Sequence, residues 1–197
     1  LILSAVSYRD SDRLNSNTKY SYERKIHFRE CINRYQGKQN STIDQKVYDD
    51  LEKQFCQHHL LVGDKTTPKS KRFSNITKDH VAMFLKELRY TKHYENINLI
   101  HYNITGKKPD NISHLEDRLL NDFDQLTAIY DKLFKNKINR TNFINTQYVL
   151  YQLLRRHHHK CNRNEFVMLK TVEKQSFHDD VARTCFQELS WNFIPSY

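Results

Sequence analysis

The sequence predicts an all-α fold: a compact multi-helix domain of about seven helices, with a basic loop after the first helical pair. Three observations carry this. The 197 residues include only three Gly and three Pro, too few for the many turns of an all-β fold. Apolar residues recur at spacings of three and four in several stretches. Twelve Tyr and eleven Phe supply the bulk to fill a helical interior. The length suits one domain or two small ones.

The elements follow in order. Residues 7–20 are polar, with Asp10, Asp12, Asn15 and Asn17, and read as a loop or extended arm, so 1–20 is set apart as an N-terminal arm. Ser21 is placed to cap a helix running to about Gln36, with Gly37 as its stop. Tyr22, Ile26, Phe28, Ile32 and Tyr35 form its stripe, near the helical period but not cleanly on it. Thr42 and Gln45 make a capping-box pattern before Ile43, Val47, Leu51 and Phe55, with an end expected near Leu61. Residues 21–62 thus read as a helical pair. Residues 63–75 show no periodicity and form a basic linker. The main helical domain spans 76–197. Within it, Thr77 starts a helix with Val81, Phe84, Leu85 and Leu88 on one face. A break near Tyr90-Thr91 leads to a short helix with Tyr94, Ile97 and Ile100. Gly106-Lys107-Lys108-Pro109 is a loop. Ser113 and Glu116 suggest a second capping box, opening what reads as the longest amphipathic helix through Leu119, Phe123, Leu126, Ile129 and Leu133. Thr141 is the expected cap for a helix carrying Ile144, Tyr148, Tyr151 and Leu154. A last helix, near Lys174–Leu189, carries Phe177, Val181 and Cys185. The apolar tail Trp191-Asn192-Phe193-Ile194-Pro195 is expected to dock.

Lys and Arg number 32 against 23 Asp and Glu, a formal charge of +9 and a pI near 9.3. Such a field favours polyanions. Low Gly with high Asn, Lys and Ile also fits an AT-rich coding genome, which raises Lys with no binding role. Basic residues recur at Arg24-Lys25, in the linker, at Lys107-Lys108, at Lys132, Lys135, Lys137 and Arg140, and over Arg155–Lys160. The nucleic-acid candidates are Lys65, Lys69, Lys71 and Arg72 of the linker, Lys107 and Lys108, and Arg155 and Arg156. Cations in loops and at helix ends can neutralise phosphates without reading sequence. The competing readings are a solvated linker and, at Arg155–Lys160, cations complementing a helix dipole. Tyr8, Tyr20 and Tyr35 are candidates to stack on unpaired bases. No helix-turn-helix is recognisable, so contact is expected to be non-specific and salt-sensitive.

Catalytic chemistry finds no foothold. Gly37, Gly63 and Gly106 are isolated, so there is no phosphate-cradling loop. The carboxylate pairs Asp49-Asp50 and Asp179-Asp180 diverge on a helix. Cys31 and Cys185 fall on apolar faces, where burial makes thiols inert. The four cysteines show no C-x-x-C pair, which fits a reducing compartment and burial as small apolar residues. Zinc ligands can be drawn from Cys56, His58, His157 and Cys161, but their spacing matches no finger, and adjacent histidines on a helix point about 100° apart. A histidine-rich basic helix end is the stronger reading. No apolar run approaches the ~20 residues of a membrane span. The opening Leu1–Val6 is too short for a signal peptide. A start at Leu rather than Met leads us to expect an upstream region.

Five blocks run in order across about residues 20–196: Tyr20-Ser21-Tyr22 through His27-Phe28 to Gln36-Gly37-Lys38; Val47-Tyr48-Asp49-Asp50; Leu88-Arg89-Tyr90-Thr91-Lys92-His93-Tyr94-Glu95-Asn96-Ile97; Arg140-Thr141-Asn142-Phe143 with Tyr148-Val149-Leu150-Tyr151; and Glu188-Leu189-Ser190-Trp191-Asn192-Phe193-Ile194-Pro195-Ser196. Together they resemble one family, the poxvirus late transcription factor 3-like proteins of large DNA viruses. The resemblance implies a non-enzymatic factor for late viral genes, with the viral multisubunit RNA polymerase and other late transcription factors as partners and DNA as a further contact. It implies work in a viral factory of the host cytoplasm, with packaging in the virion. It implies no cofactor in this chain, zinc being expected in an upstream segment. The alternative is a virion-associated structural or interaction protein.

Overall fold

The structure, a computed structural model, describes residues 8–135, 137, 143–166 and 169–196. Among the described residues it consists of helices without a strand: α1 Tyr8–Tyr35, α2 Gln45–Gln57, α3 Lys69–Arg72, α4 Lys78–Glu87, α5 Ile97–Thr105, α6 Glu116–Phe134, α7 Thr146–Arg156 and α8 Val172–Glu188, with short 3-10 segments between some of them. The all-α expectation is met, and eight helices stand close to the seven expected.

Several local expectations are corrected. The polar stretch after residue 7 is helix, not an arm, and Ser21 sits inside α1 rather than capping it. No Gly or Pro lies between residues 8 and 36, so nothing breaks the helix. A polar helix resembles a loop in composition. α1 has 28 residues and α6 has 19. α1 ends where Gly37 adopts φ +64°. A Cβ on Gly37 would also meet the Pro109 ring at 3.0 Å.

The caps differ too. α2 is capped by Asp44, whose carboxylate accepts from the Lys46 amide at 2.9 Å, not by a Thr42–Gln45 box. It ends at Gln57 rather than near Leu61, because His59 turns to φ +55° and the Leu60 amide donates to Phe55 at 3.0 Å, a left-handed helix stop. Before α6, the expected Ser113–Glu116 box is replaced by a 3-10 turn over Ser113–Leu115. There Asn111 Oδ1 accepts from the Ser113 amide at 2.9 Å. α7 is capped by Asn145, which accepts from the Tyr148 amide at 2.9 Å. Thr141, the expected cap, lies outside the described residues. Thr77 caps α4 as expected, in a reciprocal box with His80.

The buried side chains divide into two clusters. One joins the second half of α1 to α6, α7 and α8 through Phe28, Ile32, Leu119, Phe123, Leu150, Leu153, Val181 and Phe186. Phe28 and Phe123 stack there, with centroids 4.2 Å apart. The other joins α2 to α4 and α5 through Val47, Leu51, Phe55, Val81, Phe84, Leu85 and Ile100. The first two helices therefore commit their buried faces to different clusters instead of packing as a pair. Residues 63–75 are not a structureless linker. They include α3, the Val62 amide donates to Arg72 at 2.9 Å, and Phe73 is buried in the second cluster.

Specific polar contacts join the clusters. Asn98 Nδ2 donates to the Tyr35 carbonyl at 2.8 Å in a buried site. Lys78 pairs with Glu165 at 2.8 Å, and Arg34 with Glu95 at 3.1 Å.

The C-terminal tail is docked. The Trp191 ring lies under the Arg156 guanidinium at 4.1 Å and against Phe186. Buried Asp179 accepts from the Ser196 amide and hydroxyl, each at 3.0 Å, and from the Tyr148 hydroxyl. Among the described residues no helix is long and apolar enough to cross a membrane.

Candidate nucleic-acid interface

Gln45, Tyr48, Glu52 and Phe55 recur on α2 at steps of three and four, so they share one face. That face forms one wall of an open cleft of about 610 Å³. The loop before α3 contributes Lys65 and Thr67, α3 contributes Lys69 and Arg72 at i and i+3, and Phe73, Asn103 and Ile104 complete the lining. Pro68 precedes α3 and starts it, since proline suits a helix entrance and not its interior.

Charge and hydrogen bonding fix the walls. Arg72 pairs with Glu52 at 3.0 Å, and its Nε–H is buried with no acceptor. Lys69 Nζ donates to the Asn103 carbonyl at 2.7 Å. Asn103 Nδ2 donates to the Tyr48 hydroxyl at 2.8 Å, which holds that ring in place. The lining holds three cations, Lys65, Lys69 and Arg72, against Glu52 as its acidic residue. Lys71 is exposed beside them. Lys107 Nζ donates to the Ser74 carbonyl at 2.9 Å just past α3, and the neighbouring Lys108 is exposed. Six of the eight candidate basic residues therefore belong to α3, its flanks and the loop tied to it.

The other two lie elsewhere. Arg155 donates to the carbonyls of Ile194 and Pro195 at 3.2 and 2.9 Å. Arg156 bonds Asp122 at 2.9 Å and covers Trp191. Both fasten the tail to α7. Arg24 and Lys25 are engaged by Asp131 and Asp124 on α6. Tyr35 is buried. The side chains of Tyr8 and Tyr20, and Arg140, lie outside the described residues.

Cys56, His58, His157 and Cys161 are not brought together. Cys56 and His58 stand at the exposed end of α2, and His58 Nδ1 lies 2.9 Å from the Gln54 carbonyl. His157 is held by Asp122 at 2.6 Å. Burial pushes the Cys161 thiol up to about 11. Among the described residues no three potential ligands converge on a metal position. Burial likewise pushes Cys31 and Cys185 up to about 12, which leaves both as unreactive thiols. Cys56 is exposed, against the expectation that the cysteines are buried. Asp50, which accepts from Lys46 at 2.8 Å and from Tyr90, titrates below the usual carboxylate range because of those two bonds, that of Lys46 first.

The cleft walls Tyr48, Gln45, Glu52 and Asn103 were not identified from sequence. The spacing 45, 48, 52, 55 was a usable signal, but it flanks the apolar stripe 43, 47, 51, 55 and is masked by it.

Comparison with known proteins assigns the chain. The family model described as "Poxvirus Late Transcription Factor VLTF3 like" matches residues 15–193. "Putative transcription factor 282R" of Invertebrate iridescent virus 6 is 50 % identical over 98 % of this chain and 52 % of its own length. "Putative transcription factor 079L" of Invertebrate iridescent virus 3 is 42 % identical over 98 % of this chain and 52 % of its own length. "Putative transcription factor 001R" of Frog virus 3 is 39 % identical over 85 % of this chain and 62 % of its own length. The chain thus spans about half the length of these relatives, rising to 62 % for the third. No solved structure matches. The chain belongs to the Poxvirus Late Transcription Factor VLTF3 like family.

Proposed function

We propose that this protein is a non-enzymatic transcription factor for late viral genes, working with the viral multisubunit RNA polymerase and other late factors at late promoters. The observation that carries the reading is the family match over residues 15–193. The basic surface gathered around α3 supports a direct DNA contact, because Lys65, Lys71 and Lys108 are exposed there and exposed cations release counterions from a phosphate backbone. Arg155 and Arg156, engaged with the tail, take no part in that contact. The site of action is the viral factory in the host cytoplasm, with carriage into the virion.

Filter binding of the protein to DNA across a salt series, together with affinity capture from infected cells, tests this. Expected are binding at low salt, a log-linear loss with rising salt, and recovery of polymerase subunits. Absence of DNA binding at low salt together with absence of polymerase from the captured material overturns it.

A further inference from the structure

We infer that the cleft between α2, α3 and α5 receives an unpaired nucleotide of a nucleic-acid strand, with its base on the aromatic floor and its phosphate among Lys65, Lys69 and Arg72. This rests on the nucleic-acid contact proposed above and names where and how it is made.

The cleft has the size and the divided chemistry of a ligand site. Its volume of about 610 Å³ lies in the range of small-ligand pockets. Tyr48 is half-buried, and the buried Phe55 and Phe73 line the same cleft. The ring of Tyr48 is oriented by the bond from Asn103 at 2.8 Å. A fixed aromatic face accepts any base by stacking, without reading its edge.

The rim has more donors than acceptors. Among the described residues Lys65 has no hydrogen-bond partner, and it is exposed. Lys69 gives one of its three N–H bonds to Asn103. Arg72 satisfies Glu52 and leaves Nε–H without an acceptor. A phosphate supplies the missing acceptor oxygens and charge.

The geometry favours an unpaired strand over a duplex. A stacked base pair presents no free base face to a concave cleft, so entry requires a base outside the stack. α3 has four residues, too short to serve as a groove-reading helix. The lysines beyond the cleft distinguish a strand from an acidic peptide. Lys71, Lys107 and Lys108 continue the positive charge along the chain neighbouring α3, where the phosphates on either side of an inserted nucleotide would run.

The test uses the full chain and a fluorescent oligothymidine of about 15 nucleotides, comparable with known single-strand site sizes, beside a hairpin duplex of matched charge. Anisotropy titrations should show tighter binding of the single strand. Tyr48→Leu, which keeps apolar bulk, should weaken single-strand binding about tenfold and leave duplex binding unchanged. Lys65→Gln with Lys69→Gln should lower the slope of log affinity against log salt by about 0.7, the value for the one phosphate held there. Thermal melts check that each variant folds. Photocrosslinking of the unaltered protein to a 5-iodouracil strand gives an independent reading, with the adduct expected in residues 45–55 or 65–73.

Wild-type affinity in both variants, equal competition by the duplex, displacement by oligoglutamate, or adducts confined to other segments would each overturn the assignment. DNA binding undiminished by these changes removes the cleft alone. Absence of any nucleic-acid binding removes the broader DNA contact as well.

Discussion

Truncating Asp179 is expected to release the C-terminal tail. Asp179 is 3 % exposed, and Ser196, which it holds, is 6 % exposed. Its carboxylate accepts from the Tyr148 hydroxyl at 2.5 Å and from the Ser196 amide and hydroxyl at 3.0 Å. Asp179→Ala removes all three acceptor contacts. The Ser196 amide and the Tyr148 hydroxyl each lose a charged acceptor in a dry site, at about 1–3 kcal/mol apiece. Relief of carboxylate burial offsets part of this. The expected loss is about 2–4 kcal/mol, which for a chain of this size lowers Tm by about 5–15 °C. Trp191, the only tryptophan of the sequence, lies in the same tail and reports its position. Its emission should shift to the red in the native baseline, before global unfolding. Asp179→Asn, which keeps one acceptor oxygen, should show about half the effect. A Tm change below about 2 °C with unaltered Trp191 emission would refute the idea that Asp179 straps the tail.

His101 provides a pH dependence. Burial, helped by nearby Lys78 and Lys107 and opposed by its 2.9 Å bond to the Ile76 carbonyl, lowers its titration below the ordinary value of 6.5. The unfolded chain then takes up a proton that the folded chain refuses. Its contribution is fully retained above the ordinary value and declines as pH falls toward the folded one. Urea unfolding at about pH 7.5 and about pH 5 should show that decline, and His101→Gln should flatten it; an unchanged slope counts against the assignment. Among the described residues, the non-glycine residues His59, Arg89, His158 and Ser190 end helices at φ between +55° and +59°. Arg89→Gly and Ser190→Gly should each stabilise by about 0.5–1 kcal/mol in chemical denaturation, and destabilisation by either would contradict this. Arg156→Met deprives buried Asp122 of its guanidinium partner, leaving the His157 ring beside it, and uncovers Trp191. A stability loss of about 1–3 kcal/mol with altered Trp191 emission is expected, and neither change would mean that Arg156 does not hold the tail.

The interior was largely legible because it follows one rule. Val47, Leu51 and Phe55, or Leu119, Phe123 and Leu126, recur at helical spacing, and each is buried. The ends of the elements were less legible. Helix starts depend on which of several neighbouring polar side chains reaches a free amide, and Asp44, Asn111 and Asn145 do so in place of Thr42, Ser113 and Thr141. Helix ends were obscured because His59 and Ser190 occupy left-handed positions where glycine is the usual sign. α1 was cut short because residues 9–19 carry only one apolar residue, Leu14, and so show no helical pattern in the sequence. At the site, the cationic half was readable, since lysines cluster in sequence at 65–72 and 107–108. The receiving half was not. Tyr48 and Asn103 meet across 55 residues of chain, and only packing brings them together. Conversely, Arg155 and Arg156 read as free cations because their partners Ile194, Pro195 and Asp122 are distant in sequence.

The most direct measurement of the proposed role is conditional silencing of the gene during infection, followed by sequencing of viral transcripts at early and late times. Late transcripts should fall while early transcripts and viral DNA replication are retained, with rescue by the intact protein and failed rescue by a protein lacking Lys65, Lys69, Lys71 and Lys108. Normal late transcription with defective particle assembly would contradict a transcriptional role and favour the virion-structural alternative.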